Sequence, residues 1–199
     1  MGDLTAFVLA GGKSSRMGSD KAFLELHGHT LLARALELAR SVADCVRIVG
    51  PVEKFGSYGA VVEDLYAGRG PLGGIHAALL SSATELNLVF AVDLPFLTRE
   101  LLDFLVREAR ATEAVVTVPR ITGGFQPLSA VYRRGFATLA QTALEAGKNK
   151  IDALFPQTSP RIIEEPELRR FAFDAAMFEN LNAPEDLARA AQRLATLKP

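Results

Sequence analysis

Residues 4–12 read LTAFVLAGG. An apolar run over 4–10 stops abruptly at Gly11-Gly12, the pattern of a strand that feeds a glycine loop. Similar runs recur along the chain: CVRIV at 45–49, AVV at 60–62, LVFAV at 88–92 and AVVTV at 114–118. They are continuous rather than alternating, which predicts a mostly parallel sheet buried on both faces. Helical patterns separate them. Leu31, Ala35, Leu38 and Val42 recur at helical spacing behind Thr30, a suitable N-cap. Thr98 stands in the same relation to RELLDFLVREAR at 99–110. The expected fold is α/β: a three-layer, Rossmann-like open sheet, mostly parallel, with helices on both faces.

The remaining elements are less regular. LYAGRGPLGG at 65–74 holds too many glycines around a proline for regular structure, so the helix after it is expected to open at IHAALLSSA, residues 75–83. GGFQPLSAVY at 123–132 reads as a turn and a strand. A helix over 133–146 is expected to stop at Gly147, residues 161–163 form a short strand, and a last helix over 184–197 starts with Pro184 at or near N1.

The chain has 199 residues, a length that fits one domain over 1–199 with a sizeable core. Lys and Arg number 22 against 23 Asp and Glu, so no basic excess points to nucleic acid or a membrane surface. A single cysteine, Cys45, excludes an internal disulfide. No signal-peptide pattern and no membrane-length apolar run are visible, so a cytoplasmic protein is expected.

In open α/β sheets the ligand crevice lies beyond the carboxyl ends of the strands, so the loop LAGGKSSRMGSDK at 9–21 comes first. Leu9, Ala10, Gly11 and Gly12 bring the backbone close to a ligand, and successive N–H groups in such a loop can form an anion-binding nest. Lys13, Arg16 and Lys21 add positive charge, and Ser14 and Ser15 add donors, a set suited to a polyphosphate. A P-loop needs a glycine where this chain has Phe7, and G-x-G-x-x-G is absent. Asp93 follows the run LVFAV and precedes Leu94-Pro95-Phe96. It is either a turn residue or a carboxylate at a strand tip, and Mg²⁺ needs only one or two protein carboxylates when phosphates supply other oxygens. His27 and His29 form H-G-H without further ligands at metal spacing, and His76 sits on a helical stretch as a structural residue.

LAGGKSSRMGSDKAFLELHG, GPLGGI, AVDLPFL, QPLSAVY and NLNAPEDL, five motifs in order over nearly the whole chain, resemble the molybdenum cofactor nucleotidyltransferases, in particular the guanylyltransferases. The resemblance implies a fold of the nucleotide-diphospho-sugar transferase type and transfer of GMP from GTP to molybdopterin, with release of pyrophosphate. It implies Mg²⁺ on Asp93, phosphate charge met by Arg16 and Lys21, and nucleotide contacts from Leu9, Ala10, Gly11, Gly12, Lys21, Asp64 and Asp93. Catalytic roles fall to Arg16, Lys21 and Asp93. The acceptor side draws on Gly70, Gly74, Gln126, Lys150, Asn180 and Asn182, with Lys148 a further basic candidate. Molybdenum-insertion and molybdoenzyme-maturation proteins are the expected partners.

Two departures bear on this. Ala183 stands where relatives carry Thr, so Asn182 is either an acceptor contact or the cap of the last helix. Gly50-Pro51 replaces a common Asn-Arg, leaving only backbone at that position for reading guanine. A cytidylyltransferase of the same group, another sugar-phosphate nucleotidyltransferase, and a non-catalytic nucleotide-binding adaptor are the alternatives. The P-L-x-G segment favours guanine over cytosine, and retention of Asp93, Arg16 and Lys21 counts against the adaptor.

Overall fold

A computed structural model describes residues 2–11 and 20–197. In chain order the elements are β1 (Leu4–Leu9), a 3₁₀ turn (Lys21–Phe23), β2 (Glu25–Leu26), β3 (His29–Thr30), α1 (Leu31–Val42), β4 (Cys45–Val49), α2 (Val52–Phe55) and β5 (Val61–Val62). Then come α3 (Pro71–Ser81), β6 (Leu86–Ala91), α4 (Arg99–Arg110), β7 (Val116–Ile121), β8 (Gly124–Phe125), β9 (Ser129–Arg133), α5 (Phe136–Glu145), β10 (Arg161–Glu164), α6 (Glu165–Arg170) and α7 (Pro184–Leu197).

The main sheet runs β10-β7-β9-β6-β1-β4-β5, with β8 added on β7. β1 pairs in parallel with both β4 and β6, and β4 with β5. β9 runs antiparallel to its neighbours β6 and β7, so the sheet is mixed but mostly parallel. One face is covered by α1, α4, α6 and α7, through Leu32, Leu36, Leu101, Leu105, Leu168 and Ala190. The other is covered by α3 and α5, through Leu72, Ile75, Phe136 and Leu144. Each fully buried leucine or phenylalanine in these layers contributes about 1.5–3 kcal/mol of transfer free energy. The α/β class with helices on both faces is therefore the observed one.

The predicted caps are in place: Thr30 Oγ1 accepts from Ala33 N at 3.1 Å, and Thr98 Oγ1 from Leu101 N at 3.3 Å. Three boundaries move. The helix expected at 75 opens four residues earlier, at Pro71, with Gly73 and Gly74 inside its first turns. Proline is at home in a first turn, where its missing N–H has no partner to lose. The helix expected from 133 begins at Phe136, because Arg133 still pairs with Leu86 in the sheet. The strand expected at 114–118 runs on to Ile121, where the β8 hairpin pairs with it.

Candidate active site

The chain turns from β1 through α1 to β4 on one side and reaches β6 on the other, so β1 sits at the point where strand order reverses. The crevice of such a sheet opens there, beyond the strands' carboxyl ends. The tips are stitched by backbone hydrogen bonds. Ala10 N and Gly11 N both donate to Val49 O at 2.9 Å, Val92 N donates to Leu9 O at 3.0 Å, and Gly50 N donates to Val62 O at 3.0 Å. The N–H groups of Ala10 and Gly11 are thus spent on the sheet, and Leu9 and Ala10 are buried. Gly12 and Arg16, also expected at the site, lie outside the described residues.

Gly50 has a packing cause. A Cβ there would lie 2.7 Å from the ring of Phe55, which is fully buried, and 3.2 Å from Gly11 N. No side chain fits, and its N–H is already engaged. The position therefore offers a base neither a side-chain group nor a backbone donor.

Asp93 lies just past the end of β6. Its Oδ2 accepts from Lys21 Nζ at 3.0 Å, with the two side chains 18% and 19% exposed. Lys21 Nζ also donates to Asn182 Oδ1 at 3.0 Å. Local structure aims each group. Asp20 caps the 3₁₀ turn that carries Lys21: its Oδ1 accepts from Ala22 N at 3.2 Å and its Oδ2 from Lys54 Nζ at 3.0 Å. Leu181, buried, donates its N–H to Asp93 O at 3.0 Å and so fixes Asn182 beside Asp93. The Arg193 guanidinium of α7 lies 4.5 Å from the centre of the Phe96 ring, tying that helix to the DLPF turn.

The two readings of Asn182 separate here. Its side chain goes to Lys21, and the start of α7 is served by Asp186, whose Oδ2 accepts from Asn182 N at 2.8 Å and Ala183 N at 2.9 Å. Of the two readings, the cap is therefore supplied by Asp186 rather than Asn182: a carboxylate in the first turn of the helix reaches back, half of a capping box. These backbone donors hold the Asp186 carboxyl below its usual range.

Asp64 Oδ1 accepts from Tyr66 N at 2.8 Å, forming an Asx turn ahead of α3. A Cβ on Gly73 would lie 2.6 Å from the same oxygen, so the glycine makes room for the carboxylate at the start of the helix. Gly74 is buried, with Leu9 and Val49 side chains 3.4 Å from where its Cβ would be. Its absent side chain lets α3 lie close to β1 and β4. Gly70, at φ +70, is exposed and precedes Pro71. Behind this loop His76 is buried, edge-on to Tyr66, and its Nδ1 has no hydrogen-bond partner among the described residues. Burial lowers its pKa against the opposing pull of Asp64 and Glu145.

The other expected acceptor residues are more dispersed. Gln126 Nε2 turns back to Gly124 O at 3.1 Å. Lys148, Lys150 and Asn180 are exposed. Arg69 was not singled out from the sequence, yet its guanidinium lies 3.8 Å from where a Cβ on Gly147 would be, which brings it beside the loop of Lys148 and Lys150. An arginine next to a glycine–proline turn was the available signal. His27 Nε2 lies 2.7 Å from Ala191 O and holds the β2–β3 hairpin against α7, so it is structural. Among the described residues no group of three or more His, Cys, Asp or Glu side chains could hold a metal alone. No described helix is long and apolar enough to cross a membrane.

A cleft of about 360 Å³ lies elsewhere, between α1 and α4, lined by Leu31, Arg34, Leu38, Leu94 and Thr98 among others. Lys21, Asp64 and Asn182 are not part of it. The chemistry-bearing groups belong to the open crevice at the strand tips instead.

Residues 6–160 match the family model of the MobA-like NTP transferase domain. A probable molybdenum cofactor guanylyltransferase of Pelotomaculum thermopropionicum is 39% identical over 188 residues, covering 94% of this chain and 91% of that protein. A molybdenum cofactor guanylyltransferase of Desulfosudis oleivorans is 35% identical over 193 residues, covering 96% and 95%. Among solved structures, molybdopterin-guanine dinucleotide biosynthesis protein A of Archaeoglobus fulgidus superposes with a TM-score of 0.86 at 28% identity, covering 97% of this chain and all of that one.

Proposed function

From the premise that the chain belongs to the MobA-like NTP transferase family, we propose that it transfers GMP from GTP to molybdopterin, forming the guanine dinucleotide and releasing pyrophosphate. The observation that carries the reading is the meeting of Lys21, Asp93 and Asn182 at the strand-order reversal. It joins the nucleotide loop, an acidic strand tip and the segment that resembles the acceptor motif. The nucleotide side lies in the N-terminal part, around residues 9–21 and Asp64. The acceptor side lies in the C-terminal part, around Asn180, Asn182, Gln126 and Lys150, with Gly70 at the mouth of α3.

The nucleophile in such a transfer is a phosphate oxygen of the pterin, ionised at neutral pH. No strong general base is needed, and acceleration comes from positioning and charge stabilisation. The Lys21 ammonium meets charge on the phosphates and on departing pyrophosphate, with Arg16 in the same role. Asn182 presents an amide to the acceptor.

Asp93 suits a hard divalent cation, because its carboxylate oxygen already accepts from one positive group at 3.0 Å and is itself a hard donor. Asp93 would hold Mg²⁺, and the ion would supply further neutralisation of the phosphate charge and help align the reacting groups. A single carboxylate would suffice, since one or two protein carboxylates are usual for this ion.

Pyrophosphate release from Mg²⁺ and GTP, supplied with molybdopterin, tests the proposal. Turnover with GTP well above that with CTP is expected. Equal turnover with CTP sinks the guanine assignment, and GTP binding without turnover in the presence of acceptor favours a non-catalytic adaptor. Asp93→Ala is expected to lose at least a hundredfold in rate, on the order of one charge-stabilising group, while keeping its circular dichroism spectrum. A variant that retains most of its rate places the metal elsewhere.

A further inference from the structure

Lys21 already occupies one oxygen of the Asp93 carboxylate, the group that would also hold a divalent cation. Lys21 Nζ sits 3.0 Å from Asp93 Oδ2 and 3.0 Å from Asn182 Oδ1, in a partly shielded position. Two cations held on one carboxylate, whichever oxygens they take, stand close enough to repel each other strongly. The lysine stem is long and flexible, and its ammonium is a mobile point charge rather than a rigid fork. The anchors on either side are fixed: Asp93 O holds Leu181 N, Asp20 caps the turn beneath Lys21, and Asp186 fixes the backbone of Asn182. Lys21 is therefore the member of the trio able to move.

We propose that Lys21 is an exchange cation. It holds Asp93 and Asn182 until a metal–nucleotide arrives, then leaves Asp93 to the metal and travels to the phosphates. The same move releases the Asn182 amide to the acceptor, so occupancy of the nucleotide side readies the acceptor side. The inference rests on the reading of Asp93 as metal ligand and deepens it, adding a positioning role for Lys21 before any phosphate is present.

The test is Mn²⁺ binding to the full chain without nucleotide, read from the loss of the free-ion electron paramagnetic resonance signal. Lys21→Met, and Lys21→Gln as a second neutral variant, are expected to bind Mn²⁺ about three- to tenfold more tightly than the wild type, the scale of one partly exposed ion pair. With GTP added the order reverses, because the variants lack the charge that meets the phosphates. Lys21→Met and Lys21→Gln proteins that bind nucleotide-free Mn²⁺ no more tightly than the wild type overturn the exchange. Asp93→Asn separates the two claims: Mn²⁺ binding unchanged by it removes the metal reading itself. Binding lost in Asp93→Asn but unimproved in the Lys21 variants leaves that reading standing and the exchange refuted.

Discussion

Gly50 shows how one missing side chain shapes the crevice. Its neighbours are a fully buried ring and a backbone nitrogen, and neither yields easily. Gly50→Ala is expected to destabilise the protein by about 1–3 kcal/mol, the usual cost of overpacking. Urea denaturation measures it, and an unchanged midpoint refutes the close-packing account. His76 gives a pH-dependent counterpart. Burial lowers its pKa in the folded protein below the ordinary 6.5, with Asp64 and Glu145 opposing more weakly. The unfolded chain therefore binds more protons as pH falls through 6.5, and stability must fall with it until the folded pKa is passed. His76→Leu is expected to flatten that slope between about pH 7 and 5.5 in denaturation series. An undiminished slope would assign the loss to other groups. Asp93 and Lys21 were legible in the sequence from their motifs. The contact of Lys21 with Asn182, 161 positions away, was not, because it exists only once the last segment docks on the tip of β6.

Among the elements, those with a cap and an apolar stripe were legible nearly to the residue. α1 and α4 begin directly after Thr30 and Thr98 because each hydroxyl supplies an acceptor that the first turn lacks. Thr98→Ala is expected to cost about 1 kcal/mol, while Thr98→Ser, which keeps the oxygen, recovers most of it. Thermal or urea unfolding of the two variants decides, and equal losses would mean that the methyl group, not the cap, matters. α3 was misplaced for the opposite reason. Glycines normally disfavour a helix by about 1 kcal/mol each relative to alanine. Here Gly73 clears the Asp64 carboxylate and Gly74 admits Leu9 and Val49. Both reasons are tertiary, and local propensity contains no trace of them.

At the scale of the molecule, the candidate site is a junction of segments far apart in the chain. Residues 9–11, Lys21, Asp64, Asp93 and Asn182 reach it from β1, the 3₁₀ turn, β5, β6 and the approach to α7. A ligand that touches several of them binds only the folded chain and must stabilise it by mass action. At one hundred times its dissociation constant the gain is about 2.7 kcal/mol. For a chain of 199 residues this corresponds to a rise in Tm of roughly 5–11 °C, at roughly 2–4 °C per kcal/mol. Mg²⁺ with GTP is expected to produce that rise, CTP at equal concentration a smaller one, and Asp93→Ala to lose the part that depends on Mg²⁺. Differential scanning calorimetry distinguishes these cases. Equal shifts with both nucleotides would show that the junction recognises phosphate alone. A shift indifferent to Mg²⁺ would detach Asp93 from the metal, leaving Lys21 as its cation throughout.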